Sequence, residues 1–471
     1  MDSLTQKGRL RIRGSERKVI LLLGDLIVSI LAIFLALFFW SQKDWLNFSW
    51  EFIGQRAPAW FYFLPLIWIL LLIGIYDIRR ANRHGEVLKG VGTAAGVSAV
   101  LYLIAFFVSD PFSLPRRGVA VFIISVTILT IFWRFLYIKI FSAPVFSRRV
   151  LVVGAGLAGT TLVSMASKIS PMPFELIGYI DDDPEKQGKY YFGCPVVGTG
   201  QDLLDRIRLY NITDLIFAIT GELNPDLFRS ILAAEEGGIE VVSFPTAYEE
   251  LFGRVPVELL ESEWILRSFL DQVHTSGLYD ALKRLGDIAS GLIGLLTLLL
   301  LFPIVAIMIL IDSGRPIFYG QLRVGRNGTP YKIYKFRTMT ADLEDNGAGK
   351  MTTQDDQRIT RIGKILRRSH VDELPQMLNI LKGENSLVGP RAEQPELVQQ
   401  FQEQIPFYRA RLFVKPGLTG WAQINQRYAS TVKDTVVKLE FDLYYIKHRT
   451  LLLDLNIILR TIGSVLGLRG L

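Results

Sequence analysis

The stretch IASGLIGLLTLLLLFPIVAIMILI, residues 288–311, decides the class of this chain. It has no charged side chain and is long enough to cross the hydrocarbon core of a bilayer. Pro303 lies inside it and would kink or break a helix there. Charged residues flank both ends, namely Lys283, Arg284, Asp287, Asp312 and Arg315. A helix bent at Pro303 would enter and leave the same leaflet, so we predict a re-entrant membrane helix; a kinked crossing helix is the alternative.

Four further apolar runs of spanning length lie upstream, at residues 19–40, 60–76, 91–108 and 119–141. The first is too long for a signal-peptide core and has no small-residue cleavage site, so we expect it to remain as an anchor. Lys and Arg are more frequent before the first run and between the second and third than in the outer loop, although two arginines before the fourth run weaken the contrast. The sequence therefore predicts a four-helix transmembrane bundle over residues 1–146 with both ends in the cytoplasm.

After the bundle, the composition becomes that of a soluble α/β domain. A buried strand is predicted at 148–153, and the glycines of a dinucleotide-binding turn follow it at Gly154, Gly156 and Gly159. A second strand ends at Asp181, where an acid would meet a ribose hydroxyl. We predict a Rossmann-like domain over residues 147–250, with nucleotide binding as one option, and a linker over 251–278.

The glycine turn supports a rival function, a membrane-anchored NAD-dependent sugar-nucleotide epimerase or dehydratase. Such short-chain enzymes use a Tyr-x-x-x-Lys pair inside the Rossmann unit, and none occurs between residues 147 and 250. A regulatory or scaffolding domain is therefore favoured. The chain has one cysteine and four scattered histidines, which exclude an internal disulfide and make a Cys- or His-based metal site improbable.

The last third of the chain is strongly basic. Residues 313–471 carry 24 Lys and Arg against 15 Asp and Glu, a field that favours anions such as phosphates. Within it, Asp372 and Glu373 are adjacent, a spacing that disfavours a glycosidase pair, whose carboxyls lie on opposite sides of the bond. The spacing suits a division of labour in which one acid attacks phosphorus and the other holds a divalent cation. A helix start with acids at its positive end is the structural alternative.

The segments around the acid pair carry basic and polar side chains on predicted turns. A β-hairpin is predicted over residues 317–337, with a turn at Gly325-Arg326-Asn327-Gly328. Downstream, Gly389-Pro390-Arg391 reads as a tight turn that returns a guanidinium toward the acids. The basic and amide residues that we expect to bind phosphate or substrate are Gln321, Arg323, Lys335, Arg337, Arg367, Arg391 and Arg427.

Five ordered strings closely resemble the bacterial sugar transferase family, the polyprenyl-phosphate hexose-1-phosphate transferases. They are Gln321-Leu322-Arg323-Val324-Gly325, Lys335-Phe336-Arg337-Thr338-Met339, Asp372-Glu373-Leu374-Pro375-Gln376, Gly389-Pro390-Arg391 and Pro416-Gly417-Leu418-Thr419-Gly420-Trp421-Ala422-Gln423. The resemblance implies an α+β catalytic domain with a re-entrant helix over residues 279–471. It also implies transfer of hexose 1-phosphate from a UDP-sugar to undecaprenyl phosphate with release of UMP, initiating exopolysaccharide, capsule or O-antigen synthesis. Glucose is the first expectation for the sugar and galactose the next.

On this hypothesis Asp372 forms a covalent aspartyl intermediate and Glu373 holds Mg²⁺. The expected location is the bacterial inner membrane, with the catalytic domain in the cytoplasm, no nucleic-acid partner, and a homodimer left open. A third alternative is a non-catalytic platform for anionic lipids, since basic clusters at membranes bind headgroups. The basic residues here alternate with Gly and Pro turns, unlike a flexible polybasic tail.

Overall fold

The computed structural model describes residues 14–42, 44–108, 115–141, 148–169, 172, 174–219, 221, 224–259, 277–340, 358–426 and 431–466. The chain divides into two compact units, Met1–Ala247 and Tyr248–Leu471. Helix α10, introduced below, contains the boundary between them. Each unit is described separately.

The first unit begins with apolar helices. They are α1 (Gly14–Ser41), α2 (Trp50–Arg56), α3 (Leu64–Leu71), α4 (Ile78–Ala81), α5 (His84–Val108) and α6 (Arg116–Phe141), with 3₁₀ turns at Ala59–Phe63 and Ile73–Ile75. Among the residues described up to 141, three helices have the length and apolarity to cross a membrane: α1 from Glu16, α5 and α6.

The predicted span at residues 60–76 is wrong as a continuous helix. It is divided into the 3₁₀ turn at Ala59–Phe63, the eight-residue helix α3 and a second 3₁₀ turn. Pro65 explains the break between the first 3₁₀ turn and α3. It lies in the first turn of α3 and has no N–H with which to extend a helix upstream. A fourth helix of spanning length does exist, but it lies in the second unit.

A buried ion pair joins α1 to α6. Arg134 Nη2 lies 2.5 Å from Asp25 Oδ2, and neither side chain is exposed. Arg134 also donates to the backbone oxygen of Ile75, 3.1 Å away, at the end of the broken segment. Charges in apolar surroundings are stable only when paired, so this contact fixes which faces of the two helices meet.

The rest of the first unit is a six-stranded mixed sheet with helices. Its elements are β1 (Arg149–Val153), α7 (Leu157–Ala166), β2 (Glu175–Ile180), β3 (Tyr190–Tyr191), β4 (Cys194–Gly198), α8 (Leu203–Tyr210), β5 (Asp214–Phe217), α9 (Pro225–Glu236), β6 (Glu240–Ser243) and α10 (Phe244–Phe252), with a 3₁₀ turn at Pro184–Lys186. The strand order is β3-β4-β2-β1-β5-β6, with β3 antiparallel and the others parallel. The strand predicted at 148–153 and the one predicted to end at Asp181 are confirmed as β1 and β2.

The second unit is α+β. Its elements are a 3₁₀ turn at Val257–Leu259, α11 (Gly277–Ser313), β7 (Phe318–Val324), a 3₁₀ turn at Arg326–Gly328, β8 (Pro330–Phe336), α12 (Arg361–Ser369), a 3₁₀ helix at Val371–Gln376, α13 (Met377–Lys382), β9 (Ser386–Val388), α14 (Pro395–Gln404), a 3₁₀ helix at Tyr408–Phe413, β10 (Gly417–Thr419), α15 (Trp421–Asn425), α16 (Val432–Lys447) and α17 (Leu451–Leu466). The predicted hairpin is confirmed as the antiparallel pair of β7 and β8.

The long helix α11 packs along α13 and along the β7–β8 hairpin. Gly291 and Gly294 face α13 so closely that a Cβ on Gly294 would lie 2.5 Å from Met377. Further along, Phe302 stacks on Phe318 with ring centroids 5.6 Å apart. The small residues thus admit α13 against the first half of α11, and aromatic stacking holds the hairpin against the second half.

Residues 248–259, the start of this unit, pack onto α15 and α16. Trp421 Nε1 donates to the oxygen of Gly253 over 2.7 Å, and Val255 is fully buried in the core. Residues 251–259 of the predicted linker therefore belong to the second unit, residues 260–276 lie outside the described residues, and residues 277–278 begin α11. Arg254 pairs with the buried Glu440 at 3.3 Å.

Glu440 should make the stability of this unit depend on pH. Burial raises the pKa of Glu440 to about 7, although the Arg254 charge opposes the shift. The contribution to stability is complete below the ordinary pKa of 4.5 and is lost as the pH rises toward 7, because the unfolded chain ionises first. In Glu440→Gln the melting temperature should therefore fall less across this pH range. The free energy of unfolding that Glu440 contributes, and that is lost over the range, is at most about 3 kcal/mol.

The measurement is thermal unfolding in detergent at a series of pH values, with Glu396→Gln, an exposed acid on α14, as control. An unchanged pH dependence in Glu440→Gln would show that other groups cause it.

Candidate active site

The acid pair lies on the 3₁₀ helix Val371–Gln376, between α12 and α13. His370 precedes it in the left-handed region, with φ of 57°, and so turns the chain sharply after α12. Asp372 and Glu373 are only 6% and 8% exposed. Two adjacent carboxylates are thus held in a largely dry place, where nearby charges act strongly.

Glu373 is held by two cations from different elements. Its Oε1 accepts hydrogen bonds from Lys335 Nζ of β8 at 2.7 Å and from Arg391 Nη2 at 2.6 Å. Burial opposes ionisation of Glu373, but Arg391 and Lys335 outweigh it and hold its pKa well below the ordinary value. These two cations therefore favour the ionised form of Glu373.

Asp372 has the opposite environment. No group in the described part of the chain donates a hydrogen bond to its carboxylate. Burial, with the Glu373 charge next, raises the pKa of Asp372, while Lys335, Arg367 and His370 act against the rise. A buried carboxylate with a raised pKa and no described hydrogen-bond donor is typical of a functional site.

The turn that carries Arg391 is fixed by close backbone packing. Strands β9 and β10 pair in parallel just before it, and a Cβ on Gly417 would lie 2.0 Å from the nitrogen of Gly389. Only glycine permits that approach. Two of the strings on which the family resemblance rests are thus neighbours, and together they aim Arg391 at Glu373.

Several other predicted site residues have main-chain or structural partners. Arg367 donates from Nε to Thr338 Oγ1 at 2.9 Å and acts on Asp372 through its charge. Arg323 donates to Gln321 Oε1 at 2.6 Å and to the oxygen of Ala392 at 3.2 Å. Arg427 lies outside the described residues.

Arg337 is placed at the end of α11 rather than among the residues around Asp372. It is 1% exposed and donates to the oxygens of Gly314 and Arg315, each at 2.6 Å, to Ser313 Oγ at 2.9 Å and to the Ser313 oxygen. The guanidinium thus binds the carbonyl oxygens at and just beyond the end of this helix, where a cation is also favoured by the helix dipole.

Arg337→Met should therefore lower stability more than turnover. Losing the four hydrogen bonds of this buried guanidinium should cost about 3 kcal/mol or more, whereas kcat/KM of the folded fraction should stay within about threefold of wild type. The measurements are thermal unfolding and UMP release, with Arg326→Met, an exposed hairpin-turn variant, as control. A hundredfold loss of kcat/KM at unchanged melting temperature would instead place Arg337 at the anion site.

The charged residues at the entrance of α11 also have defined partners. Lys283 lies 2.8 Å from Asp454, and Asp287 Oδ1 accepts from Ser386 Oγ and from the Leu387 nitrogen, each at 2.9 Å. Arg284 donates to the oxygens of Ile380 and Leu381 at the end of α13, each over 2.7 Å. Pro303 lies within α11, which is assigned as one helix through it.

The glycine turn of the first unit lies beside a cavity at the carboxyl ends of β1, β2 and β5. The cavity has a volume of about 220 Å³ and is lined by Gly154, Ile180, Asp181, Asp182, Ile219, Asn224 and Leu227. Gly156 precedes α7, and Gly159 packs against the oxygen of Gly154. Asp181 Oδ2 accepts from the Ala155 nitrogen at 2.7 Å and from Lys186 Nζ at 3.0 Å, so its carboxylate already binds groups of the protein itself.

The acid pair fits a divalent cation that is shared with a substrate. Across the residues with described placement there is no group of three or more His, Cys, Asp or Glu that could hold a metal alone. Magnesium commonly takes one or two carboxylates together with substrate phosphates, however. Glu373 Oε2 accepts no hydrogen bond from any described residue, and Asp372 lies beside it, so these oxygens suit that mode of binding.

A buried charge network behind Arg391 was missed by the sequence reasoning. It consists of Arg323, Glu393, Arg411, Lys438 and Asp442. Arg411 lies on a segment whose burial is not apparent from composition. The available signal was Asp442 within an otherwise apolar and aromatic run, Phe441 to Ile446.

Two parts of the chain match known families. Residues 278–467 match the family described as bacterial sugar transferase, and residues 71–241 match one described as a CoA-binding domain. The exopolysaccharide production protein PSS of Rhizobium leguminosarum bv. phaseoli is 40% identical over 190 residues, which are 39% of this chain and 95% of that protein. The chain therefore belongs to the bacterial sugar transferase family.

Two longer relatives extend the match. The UDP-N-acetylgalactosamine-undecaprenyl-phosphate N-acetylgalactosaminephosphotransferase of Aeromonas hydrophila is 39% identical over 53% of this chain and 56% of that protein. The undecaprenyl-phosphate glucose phosphotransferase of Komagataeibacter xylinus is 31% identical over 67% of this chain and 58% of that protein. The chain thus matches little more than half the length of each.

Proposed function

We propose that this protein transfers a sugar 1-phosphate from a UDP-sugar to undecaprenyl phosphate and releases UMP, the first membrane step of polysaccharide assembly. The observation that carries the proposal is the asymmetry of the acid pair. Glu373 is fixed by Lys335 and Arg391, whereas Asp372 is buried, has a raised pKa and receives no hydrogen bond from a described residue. The names of the relatives support the same substrates.

In the proposed reaction a carboxylate oxygen of Asp372 attacks the β-phosphorus of the UDP-sugar. The bond from that phosphorus to the bridging oxygen breaks, UMP leaves with the electron pair, and an aspartyl sugar phosphate remains. A phosphate oxygen of undecaprenyl phosphate then attacks the same phosphorus and regenerates the Asp372 carboxylate. The two half-reactions require ping-pong kinetics.

The cationic residues serve the diphosphate. Arg391 is 38% exposed at its side chain and so can reach a phosphate while keeping Glu373 as its anchor. Lys335 and Arg367 add positive charge that acts on Asp372. Mg²⁺, held by Glu373, would neutralise charge on the diphosphate and the leaving group.

We further propose that α11 is re-entrant. Just before its apolar run Asp287 binds Ser386 and Leu387, and just after that run Asp312 Oδ2 accepts from the Ile362 nitrogen at 2.9 Å. Both ends thus make polar contacts with one folded domain. This supports entry and exit on the same side, since a crossing helix would separate its ends by the thickness of the bilayer, about 30 Å.

Cysteine labelling tests the topology in cells. After Cys194→Ser removes the background thiol, single cysteines at Gly286 and Gly314 should both react only from the cytoplasmic side. A cysteine at Trp45, in the segment after α1, is the control and should react from outside. Reaction of the cysteine at Gly314 from outside would refute both the re-entrant path of α11 and the cytoplasmic location of the acid pair.

For the first unit we propose a Rossmann-like domain with a scaffolding or regulatory role. The parallel strand order and the glycine turn support the fold. Asp181 binds Ala155 and Lys186, which argues against the ribose contact of an NAD-dependent epimerase. Absence of nicotinamide fluorescence from purified protein is the expected result.

The assay that tests the function incubates purified protein with undecaprenyl phosphate, Mg²⁺ and each of UDP-glucose, UDP-galactose, UDP-N-acetylglucosamine and UDP-N-acetylgalactosamine. UMP release and a labelled lipid product are measured. Glucose remains our first expectation and N-acetylgalactosamine, named for the Aeromonas relative, is the main competitor. Silence with all four donors would favour a lipid-binding platform.

A further inference from the structure

The loop that presents Arg391 is held on its main chain at every residue from 389 to 393. The bonds run from the Gly389 nitrogen to Thr419 O (2.9 Å), from the Gly417 nitrogen to Pro390 O (2.9 Å), from Arg411 Nη2 to Arg391 O (2.9 Å), from Arg323 Nη1 to Ala392 O (3.2 Å) and from the Val324 nitrogen to Glu393 O (2.9 Å). The bond to Arg391 itself comes from a side chain, and that side chain belongs to Arg411.

Arg411 is buried and fully engaged. It is 4% exposed, donates to Tyr408 Oη at 2.8 Å and pairs with Asp442 Oδ2 at 2.9 Å. Asp442 is 1% exposed and lies on α16, one of the longest helices of the second unit. The guanidinium therefore connects a rigid helix to the carbonyl of the residue that grips Glu373.

This arrangement is a poor way to gain stability. Removing two charges from water costs several kcal/mol, and apolar residues of similar volume often replace a buried ion pair without loss. The pair supplies geometry instead. Arg411 Nη2 donates both to Asp442 Oδ2 and to the Arg391 oxygen, while Nη1 donates to Tyr408 Oη, so the planar guanidinium fork holds three partners at fixed angles. A lysine offers no such fork.

We propose that Arg411, oriented by Asp442, is a positioning residue that fixes the direction of Arg391 and thereby sets the affinity of the site for the donor diphosphate. The inference rests on the proposed function. Arg391 must contact Glu373 and a phosphate at once, and displacement of a group by about 1 Å can cost a hundredfold in rate.

The test compares wild type with a double variant that carries both Arg411→Met and Asp442→Leu, called the paired variant. In it, apolar side chains replace both charges. The melting temperature should stay within a few degrees, while the KM for the UDP-sugar should rise about 10- to 100-fold. The KM for undecaprenyl phosphate should change less than about threefold. The control variant is Lys447→Met. Lys447 lies on the same helix as Asp442 and pairs with Glu249, away from the Arg391 loop, so its replacement should leave both KM values unchanged.

A double-mutant cycle separates positioning from general damage. In an Arg391→Ala background, the paired variant should cost less than about threefold in kcat/KM, because the side chain it positions is gone. The same loss in both backgrounds would overturn the proposal. If the paired variant does not fold, Arg411→Lys replaces it in the cycle. A loss of kcat/KM below about threefold in the Arg391→Ala background is again expected, and the same loss in both backgrounds would again overturn the proposal. Wild type that releases no UMP would refute the proposed function instead, so the two failures are distinguishable.

Discussion

Asp372→Asn should lower UMP release by at least about 10³-fold, because an amide cannot attack phosphorus and no neighbouring group replaces it. The adjacent Glu373 is bound by Lys335 and Arg391 at 2.7 and 2.6 Å, so it is not free to act as the nucleophile. Both half-reactions should fail together. The measurements are steady-state UMP release and single-turnover release without undecaprenyl phosphate.

Without the acceptor, wild type should release close to one UMP per active site and gain the mass of one sugar phosphate. Asp372→Asn should show neither. Asp205→Asn, whose side chain is 84% exposed in the first unit, is a matched control and should behave as wild type. Turnover by Asp372→Asn at more than about 1% of the wild-type rate would remove the covalent step from the mechanism.

Glu373→Gln should reduce kcat about 10²- to 10³-fold and raise the Mg²⁺ concentration needed for half-maximal activity. The change removes the anion that anchors Lys335 and Arg391 and the oxygen proposed to hold the metal. Glu373→Gln should also move the acidic limb of the profile of activity against pH to lower pH. Glu373 contributes to the raised pKa of Asp372, so without that charge Asp372 remains ionised at lower pH.

The experiment measures UMP release as a function of Mg²⁺ and of pH, with Glu396→Gln as the control. An acidic limb that does not move would show that Asp372 is not the titrating group. Activity of the wild type that is indifferent to EDTA would remove the cation from the mechanism.

The residues of the candidate site could be named from the sequence because their chemistry appears as local strings. Asp372, Glu373, Lys335 and Arg391 were all named from the sequence, and the structure places three of them in direct contact. Family resemblance supplied the order of the strings, and hairpin and turn signals supplied the elements that carry them.

Arg337 and Arg323 illustrate what sequence reasoning could not separate. An arginine that binds phosphate and one that binds main-chain carbonyls look alike in a basic, glycine-rich segment, since both need the same planar donor fork. Their partners, Ser313 to Arg315 and Ala392, are brought near only by tertiary folding. The broken second span was missed for a similar reason, because hydropathy over residues 60–76 does not report where helical hydrogen bonding stops.

The pair of Asp25 and Arg134 has a consequence for biogenesis. The two residues are separated by 109 positions, so the first helix leaves the ribosome several seconds before its partner exists. During that interval a carboxylate sits at membrane depth without its cation, a state that costs about 3 kcal/mol on insertion scales. The first helix should therefore remain loosely held, beside the translocon or a chaperone, until α6 arrives. A chain that is truncated before residue 134 should be extracted and degraded, even though its first helix is apolar enough to stay.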